Sequence, residues 1–334
     1  MNCSKTIKSF LALLLLASLV AGGAMAARGA VVREYREYSA ELFTQEKKFA
    51  RVALRRFRMD GTECYLAVDP DTLGTEIAPV GKYLILKKTF NEIAIRRKDT
   101  AFFKAIRFAG QNSWRLQNAG LIHIPANDRD VYVTADLCPT RLPLDRSPFI
   151  NLIAEYGPYH RPVPVAIAVS GIWMEKHRED LKWLDGLAKN GDLSITWVNH
   201  TYNHRHKKRV PLWKNYLLDI GTRLEDEVMK NEIAMVEAGL VPSVFFRFPG
   251  LVSNKALFAG VSGYGLIPLG SDAWLGKKQW PVAGSIILIH ANGQEPVGIR
   301  RFLWFLGSWK KDIAGGRRSF GDLKEGLRQA MKMY

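Results

Sequence analysis

From Val131 onward, short apolar runs alternate with amphipathic stretches along the chain. VYVTAD, PVAIAVS, LSITWVN, VFFRF, YGLIPLG and SIILIH are each five to seven residues long, and several are rich in β-branched side chains. Runs of that length and composition predict strands. Between some of them lie RSPFINLIAEYG, EKHREDLKWLDGLAKNG and GTRLEDEVMKNEIAMVEAG. In the last, Leu224, Val228 and Met235 recur at steps of four and seven, which places them on one helix face. Strand–helix alternation predicts an α/β fold on a parallel sheet, open or closed into a barrel. In such folds the chemistry gathers where strands end and loops begin.

The pattern before Val131 is different. YSAELFTQEKKFARVALRRFRM reads as a helix or a pair of helical turns, while ECYLAVDP and GKYLILKK read as short strands separated by Asp-Pro and Gly signals. Residues 27–125 therefore form a smaller N-terminal α+β region, accessory to or packed on a main domain over 126–334. IPANDRD, residues 124–130, is the expected junction. Residues 1–26 carry Lys5 and Lys8, the apolar run FLALLLLASLVAG and the small-x-small site Ala24-Met25-Ala26. That is the plan of a secretory signal peptide, and the run is short for a membrane span of about 20 residues. The expectation is an exported protein, periplasmic or extracellular, with no transmembrane segment after cleavage.

Charge narrows the partners. Cleavage takes two lysines and no acid with it, lowering the formal charge from +16 to +14. A basic balance favours anionic partners such as envelope polymers and acidic glycans. The cations are dispersed in small groups, such as Arg55-Arg56 and Lys207-Lys208-Arg209, without a zinc-finger, basic-zipper or RNA-recognition signature. Nucleic acid is therefore not an expected partner. Cleavage also leaves Cys64 and Cys138, which are either joined in one disulfide or free, with Cys138 available for chemistry.

Candidate chemistry sits at the strand ends. LSITWVN runs into His200-Thr201-Tyr202-Asn203-His204, whose four-residue spacing brings both imidazoles to one point if the segment turns helically. Two neutral imidazoles suit Zn²⁺ or a similar divalent metal, given a third protein ligand. VYVTAD delivers Asp136, VFFRF delivers Arg247 before Pro249, YGLIPLG leads to Asp272 and Trp274, and SIILIH delivers His290.

In this order the motifs resemble those of the polysaccharide deacetylases with a NodB-homology domain, carbohydrate esterase family 4. The likeness runs from about Val131 to the C-terminus. The family's H-[ST]-x-x-H metal motif matches His200 to His204, its R-x-P motif matches Arg247-Phe248-Pro249, and its late D-x-W and apolar-x-H elements are similar to Asp272-Ala273-Trp274 and Leu288-Ile289-His290. The resemblance implies a distorted (β/α) barrel and removal of N-acetyl groups from an N-acetylated glycan with a divalent metal, zinc being the natural choice. It implies Asp136 as general base and His290 as general acid, with Asp272 holding the His290 ring. Arg247 orients Asp136, Pro249 and Trp274 meet the substrate, and His200 and His204 hold the metal.

One motif departs. The family's T-F-D-D-G, base then metal ligand, stands here as Thr134-Ala135-Asp136-Leu137-Cys138, so leucine occupies the ligand's place. Three repairs remain open: Asp136 as third ligand, which is preferred; Cys138 as a thiolate ligand; or no metal at all. Two other readings follow from the same departure, a non-catalytic glycan-binding protein on the same fold and a metal-independent amide hydrolase of the superfamily.

Overall fold

The computed structural model describes residues 29–334; the signal-peptide reading for residues 1–26 lies outside them. The described residues open with five strands, β1 (Val32–Phe43), β2 (Phe49–Met59), β3 (Thr62–Val68), β4 (Thr75–Pro79) and β5 (Leu84–Lys87), followed by helices α1 (Phe90–Arg96) and α2 (Ala101–Gly110). The strands form one antiparallel sheet in the order β4-β3-β2-β1-β5.

The helix expected over residues 38–59 is instead most of the β1–β2 hairpin. Its residues have good helix propensity, but Thr44 to Lys48 close a turn through Thr44 N–H to Lys48 O at 2.8 Å. Cross-strand pairing then sets the register, with Ala40 facing Ala53. Such pairing outweighs local propensity. The hairpin is also hidden from a period-2 reading because both faces of β2 are covered. Val52 and Leu54 belong to the core shared with the second sheet, while Ala53 packs with Leu42 and Tyr65 on the other side.

The remainder contains β6 (Asp130–Leu137), α3 (Ser147–Tyr156), β7 (Val163–Val169), α4 (Gly171–Lys176), α5 (Arg178–Lys189), β8 (Leu193–Asn199), α6 (Leu224–Glu237), β9 (Phe245–Arg247), α7 (Lys255–Gly263), β10 (Ile267–Leu269), β11 (Ala273–Trp274), β12 (Ile286–His290), α8 (Pro296–Ala314), β13 (Ser319–Phe320) and α9 (Leu323–Ala330). The main strands are parallel, in the order β10-β9-β8-β7-β6-β12-β11, and β13 adds to the start of β6. β7 is buried at every residue, as expected for a central parallel strand covered on both faces. The two edge strands, β10 and β11, are one nearly continuous stretch of chain. That run leaves β9 and reaches β12, curling the sheet into a distorted (β/α) barrel.

The gap between the edges is laced by the chain just before β6. Leu121 N–H donates to Pro268 O at 2.9 Å and Gly270 N–H donates to Leu121 O at 2.8 Å, while Ile124 N–H donates to Gly284 O at 2.8 Å. The N-terminal sheet is fastened to α6 by an ion pair with no solvent access. The Arg55 guanidinium meets the Glu232 carboxylate twice, at 2.7 and 3.0 Å, and also donates to Leu54 O and Tyr264 O. Tyr35 adds a hydroxyl to the same carboxylate at 3.0 Å.

Alternation along β6 decides which of its side chains can do chemistry. Val131, Val133, Ala135 and Leu137 point into the apolar cluster under the outer helices, together with Val169, Trp173 and Ile289. Thr134, Asp136 and Cys138 lie on the opposite face. Leu137 is thus turned away from any metal. Leu137→Asp should leave zinc affinity unchanged and destabilise the fold by about 3 kcal/mol or more, because it sets a carboxyl in an apolar core. Urea midpoints and a zinc titration check both parts; tighter zinc binding with full stability would overturn the placement.

Candidate functional site

Five loops at the C-terminal ends of the parallel strands enclose a cavity of about 540 Å³, lined among others by Cys138, His204, Tyr216, Trp274, His290 and Glu295. A larger groove of about 760 Å³ lies between α1, α2 and α7, with mostly apolar walls such as Phe90, Ile95 and Ile106. The smaller cavity holds the converging titratable groups, so the chemistry is placed there.

The histidine pair does converge, though not on a helix. Thr201 (φ 66°) and His204 (φ 47°) adopt the left-handed region, and the segment between them is an irregular turn. Such a conformation is unusual for a β-branched residue and costs on the order of 1–3 kcal/mol, so neighbouring structure must impose it. Helix α6 does so. Glu227 accepts Asn203 N–H at 2.8 Å and the Asn203 amide at 2.9 Å, and its backbone carbonyl accepts Tyr202 N–H. Asn231 donates to the Asn199 side-chain oxygen, which also accepts Thr201 N–H. The two imidazole rings stand 4.6 Å apart, centre to centre.

Cys138 completes the group. Its Sγ lies 3.5 Å from His200 Nε2, and one donor atom from each of Cys138, His200 and His204 falls within 4.8 Å of the other two. His200 Nδ1 donates to Arg247 O at 2.9 Å, leaving Nε2 as the lone-pair nitrogen, and His204 Nε2 is buried without a partner. Zinc–sulfur and zinc–nitrogen bonds of about 2.3 and 2.0 Å place tetrahedral ligand atoms roughly 3.5 Å apart, which the Cys138–His200 pair meets. Burial pulls the His200 pKa below its ordinary value, against the Asp136 charge. Burial pushes the Cys138 thiol up, but His204 and His290 outweigh it and bring the thiol down to about 7. A neutral imidazole and an ionisable thiol are the forms that metal ligands take. Of the repairs to the variant motif, the geometry thus groups Cys138, not Asp136, with the histidines. Both described cysteines are free, Cys64 being buried among Phe57, Leu66 and Val236, so no disulfide competes.

Asp136 stands beside this group. Its Oδ2 is 3.7 Å from His200 Nε2, and its Oδ1, buried and unpartnered, is 3.8 Å from Arg247 Nε. Arg247 has no solvent access and is anchored by donation to Thr134 Oγ1 at 2.7 Å, which in turn donates to Ile287 O. Pro249 is buried in the following turn, and its neighbour Gly250 lines the cavity. His206 is exposed, stacks on Tyr216 at 5.2 Å and also lines the cavity.

Asp272 is not the partner of His290. Its carboxylate accepts Ile286 N–H at 3.0 Å and meets His123 Nδ1 at 2.7 Å. Ile286 begins β12 and His290 ends it, so Asp272 sits at the wrong end of the strand. The reason is that β11 starts immediately after Asp272, with Ala273 opposite Ile287. The sequence reading took Asp272 for the end of one strand, whereas it is the entry to the next.

The partner is Glu295, whose Oε2 lies 3.1 Å from His290 Nδ1. Trp274 Nε1 donates to both oxygens of the same carboxylate at 3.1 Å. Gly276 and Gly298 flank it so closely that a Cβ at either would overlap the carboxylate. Burial disfavours a charged His290 ring, yet hydrogen bonds to Cys138 and Glu295 hold its pKa well above the ordinary value. One signal in the sequence pointed here: NGQEP places an acid immediately before a proline that opens a helix, where the dipole favours negative charge.

Residues 33–104 match the family described as the RP012 protein N-terminal domain. Among solved structures, a family 4 carbohydrate esterase from Bacillus anthracis is 18% identical, covering 67% of this chain and 91% of its own, with a TM-score of 0.47. A pseudoenzyme of that family from Bacillus anthracis is 13% identical, covering 64% and 70%, with a TM-score of 0.44. The peptidoglycan deacetylase PdaC from Bacillus subtilis is 13% identical, covering 63% and 95%, with a TM-score of 0.42. The chain is similar to the polysaccharide and peptidoglycan deacetylases of carbohydrate esterase family 4, pseudoenzymes included.

Proposed function

We propose that the chain is an exported hydrolase that removes N-acetyl groups from an N-acetylated polysaccharide or peptidoglycan. Residues 126–334 carry the reaction and residues 27–125 are an accessory region packed on them. The observation that carries this reading is that His290 with Glu295 and the donors of Cys138 and His204 line one cavity, while His200, Asp136 and Arg247 are buried directly against them. Two imidazoles and a thiolate suit zinc. When bound, the cation supplies Lewis-acid polarisation of the acyl carbonyl.

The side chains divide the remaining work. The Asp136 carboxylate accepts the proton of the attacking water, while the Arg247 guanidinium beside it fixes its direction. His290, held by Glu295 through Nδ1, presents Nε2 to the departing sugar nitrogen and delivers its proton there. Trp274 walls the cavity beside the His290 ring, 5.6 Å away between ring centres. The reading of a non-catalytic binding protein drew its support from Leu137, and with Cys138 beside the histidines that support weakens.

The test is acetate release from N-acetylglucosamine oligomers, with added zinc and with a strong chelator. Release that falls at least tenfold on chelation and returns with zinc is expected. Release indifferent to the chelator favours the metal-independent hydrolase, and no release from any N-acetylated glycan sinks the enzyme reading.

A further inference from the structure

We infer that the groove between α1, α2 and α7 is a binding site for a fatty acid, with the alkyl chain along its apolar walls and the carboxylate between Lys98 and Arg107. The groove shares no residue with the cavity at the strand ends and is independent of the deacetylase reading. Each helix turns one stripe toward it. Asn91, Ala94 and Ile95 lead along α1 to Lys98, just past its end. On α2, Phe103 and Ile106 lead to Arg107, and on α7 the wall is Ala259, Ser262 and Gly263.

The middle of the groove is apolar and open. The Phe90 and Phe103 rings pack against each other, with centres 5.5 Å apart, while Ile95 on the lip is 74% exposed. An uncovered apolar concavity of this kind marks a binding site, and about 760 Å³ lies within the range of small-ligand pockets. At Gly263 an added Cβ would meet no atom within 4 Å, so free space reaches the backbone of α7. The Ser262 hydroxyl in the same wall is buried without a hydrogen-bond partner, a state that native structures rarely leave unanswered.

Charge is confined to one end. Arg107 Nη2 donates to Lys98 O at 2.7 Å, which fixes the guanidinium beside the lysine. Neither cation is in an ion pair among the described residues, and no acidic side chain lines the groove. Two cations without a counter-ion complement one carboxylate, and the arginine fork can offer it paired N–H groups. Polarity at one end and apolar walls elsewhere are the pattern of an amphiphile with a single anionic head.

The experiment is equilibrium dialysis of the purified protein against dodecanoate, dodecan-1-ol and butyrate below their micellar concentrations. Flotation with phosphatidylcholine vesicles containing one-quarter phosphatidylglycerol runs beside it. The expected result is saturable binding of dodecanoate, at least tenfold tighter than the alcohol, with no binding of butyrate. Decanoate, two methylenes shorter, should bind about fifteenfold more weakly, roughly fourfold for each buried methylene. Gly263→Leu fills the open space and should weaken dodecanoate binding at least tenfold with an unchanged melting temperature. Lys98→Gln with Arg107→Gln should lower the affinity for dodecanoate to that for the alcohol. No binding of dodecanoate, equal affinity for acid and alcohol, or binding unaltered by Gly263→Leu overturns the site. Vesicle binding without binding of free dodecanoate also overturns it and gives the face to a membrane surface. A dimer that Gly263→Leu splits overturns it in favour of a second copy of the chain.

Discussion

His290→Ala lowers acetate release by about 10²–10⁴-fold without loss of fold, the range set by a positioned general acid. The ring ends β12 at the cavity wall, and its removal leaves Glu295 still bonded to Trp274 and seated before α8. The informative companion is Glu295→Gln. Glutamine keeps an oxygen for Trp274 but removes the charge that faces the imidazole. A loss of about 10–100-fold in kcat, with KM nearly constant, is expected of an orienting partner. In the double variant the loss should match that of His290→Ala alone, because Glu295 acts through the ring. Additive losses would show that Glu295 contributes independently, and full activity in His290→Ala would remove the acid assignment. Asp272→Asn serves as contrast: kcat should hold, since that carboxylate is tied to Ile286 and His123.

Arg55→Ala destabilises the whole chain by about 3–5 kcal/mol, the cost of leaving a buried carboxylate without its counter-ion. Glu232 has no solvent access, and after the change its remaining partner is the Tyr35 hydroxyl. The effect should reach the site. Glu232 shares α6 with Glu227 and Asn231, which hold the strained HTYNH turn. Urea denaturation should show a lower midpoint, and zinc affinity should fall with it. Arg55→Met combined with Glu232→Leu should recover much of the stability, because the buried charge is then removed rather than stranded. An unchanged midpoint in Arg55→Ala would mean that the N-terminal sheet contributes nothing to the barrel.

Much of the C-terminal architecture was legible in the sequence because its signals are local. A strand buried on both faces reads as a continuous apolar run, as β7 does, and the stretch GTRLEDEVMKNEIAMVEAG shows its helix through Val228 and Met235. Asp136, His200, His204, Arg247 and His290 were also readable, each following an apolar run that ends at the barrel mouth. The β1–β2 hairpin was not. Its residues favour helix, and its strand character comes from pairing with a partner and from packing on both sides.

Tertiary structure alone decided the partners. Whether Asp272 or Glu295 meets His290 depends on which end of β12 each reaches, and that follows from where β11 starts, not from spacing along the chain. The role of Cys138 rests on one extra residue of strand: β6 continues through Leu137, so the pleat turns leucine into the core and cysteine toward the histidines. The sequence by itself determined which side chains arrive at the mouth of the barrel, because strand period and turn residues are properties of a few neighbours. Which of them touch was left to the curl of the sheet, which brings together groups more than a hundred residues apart.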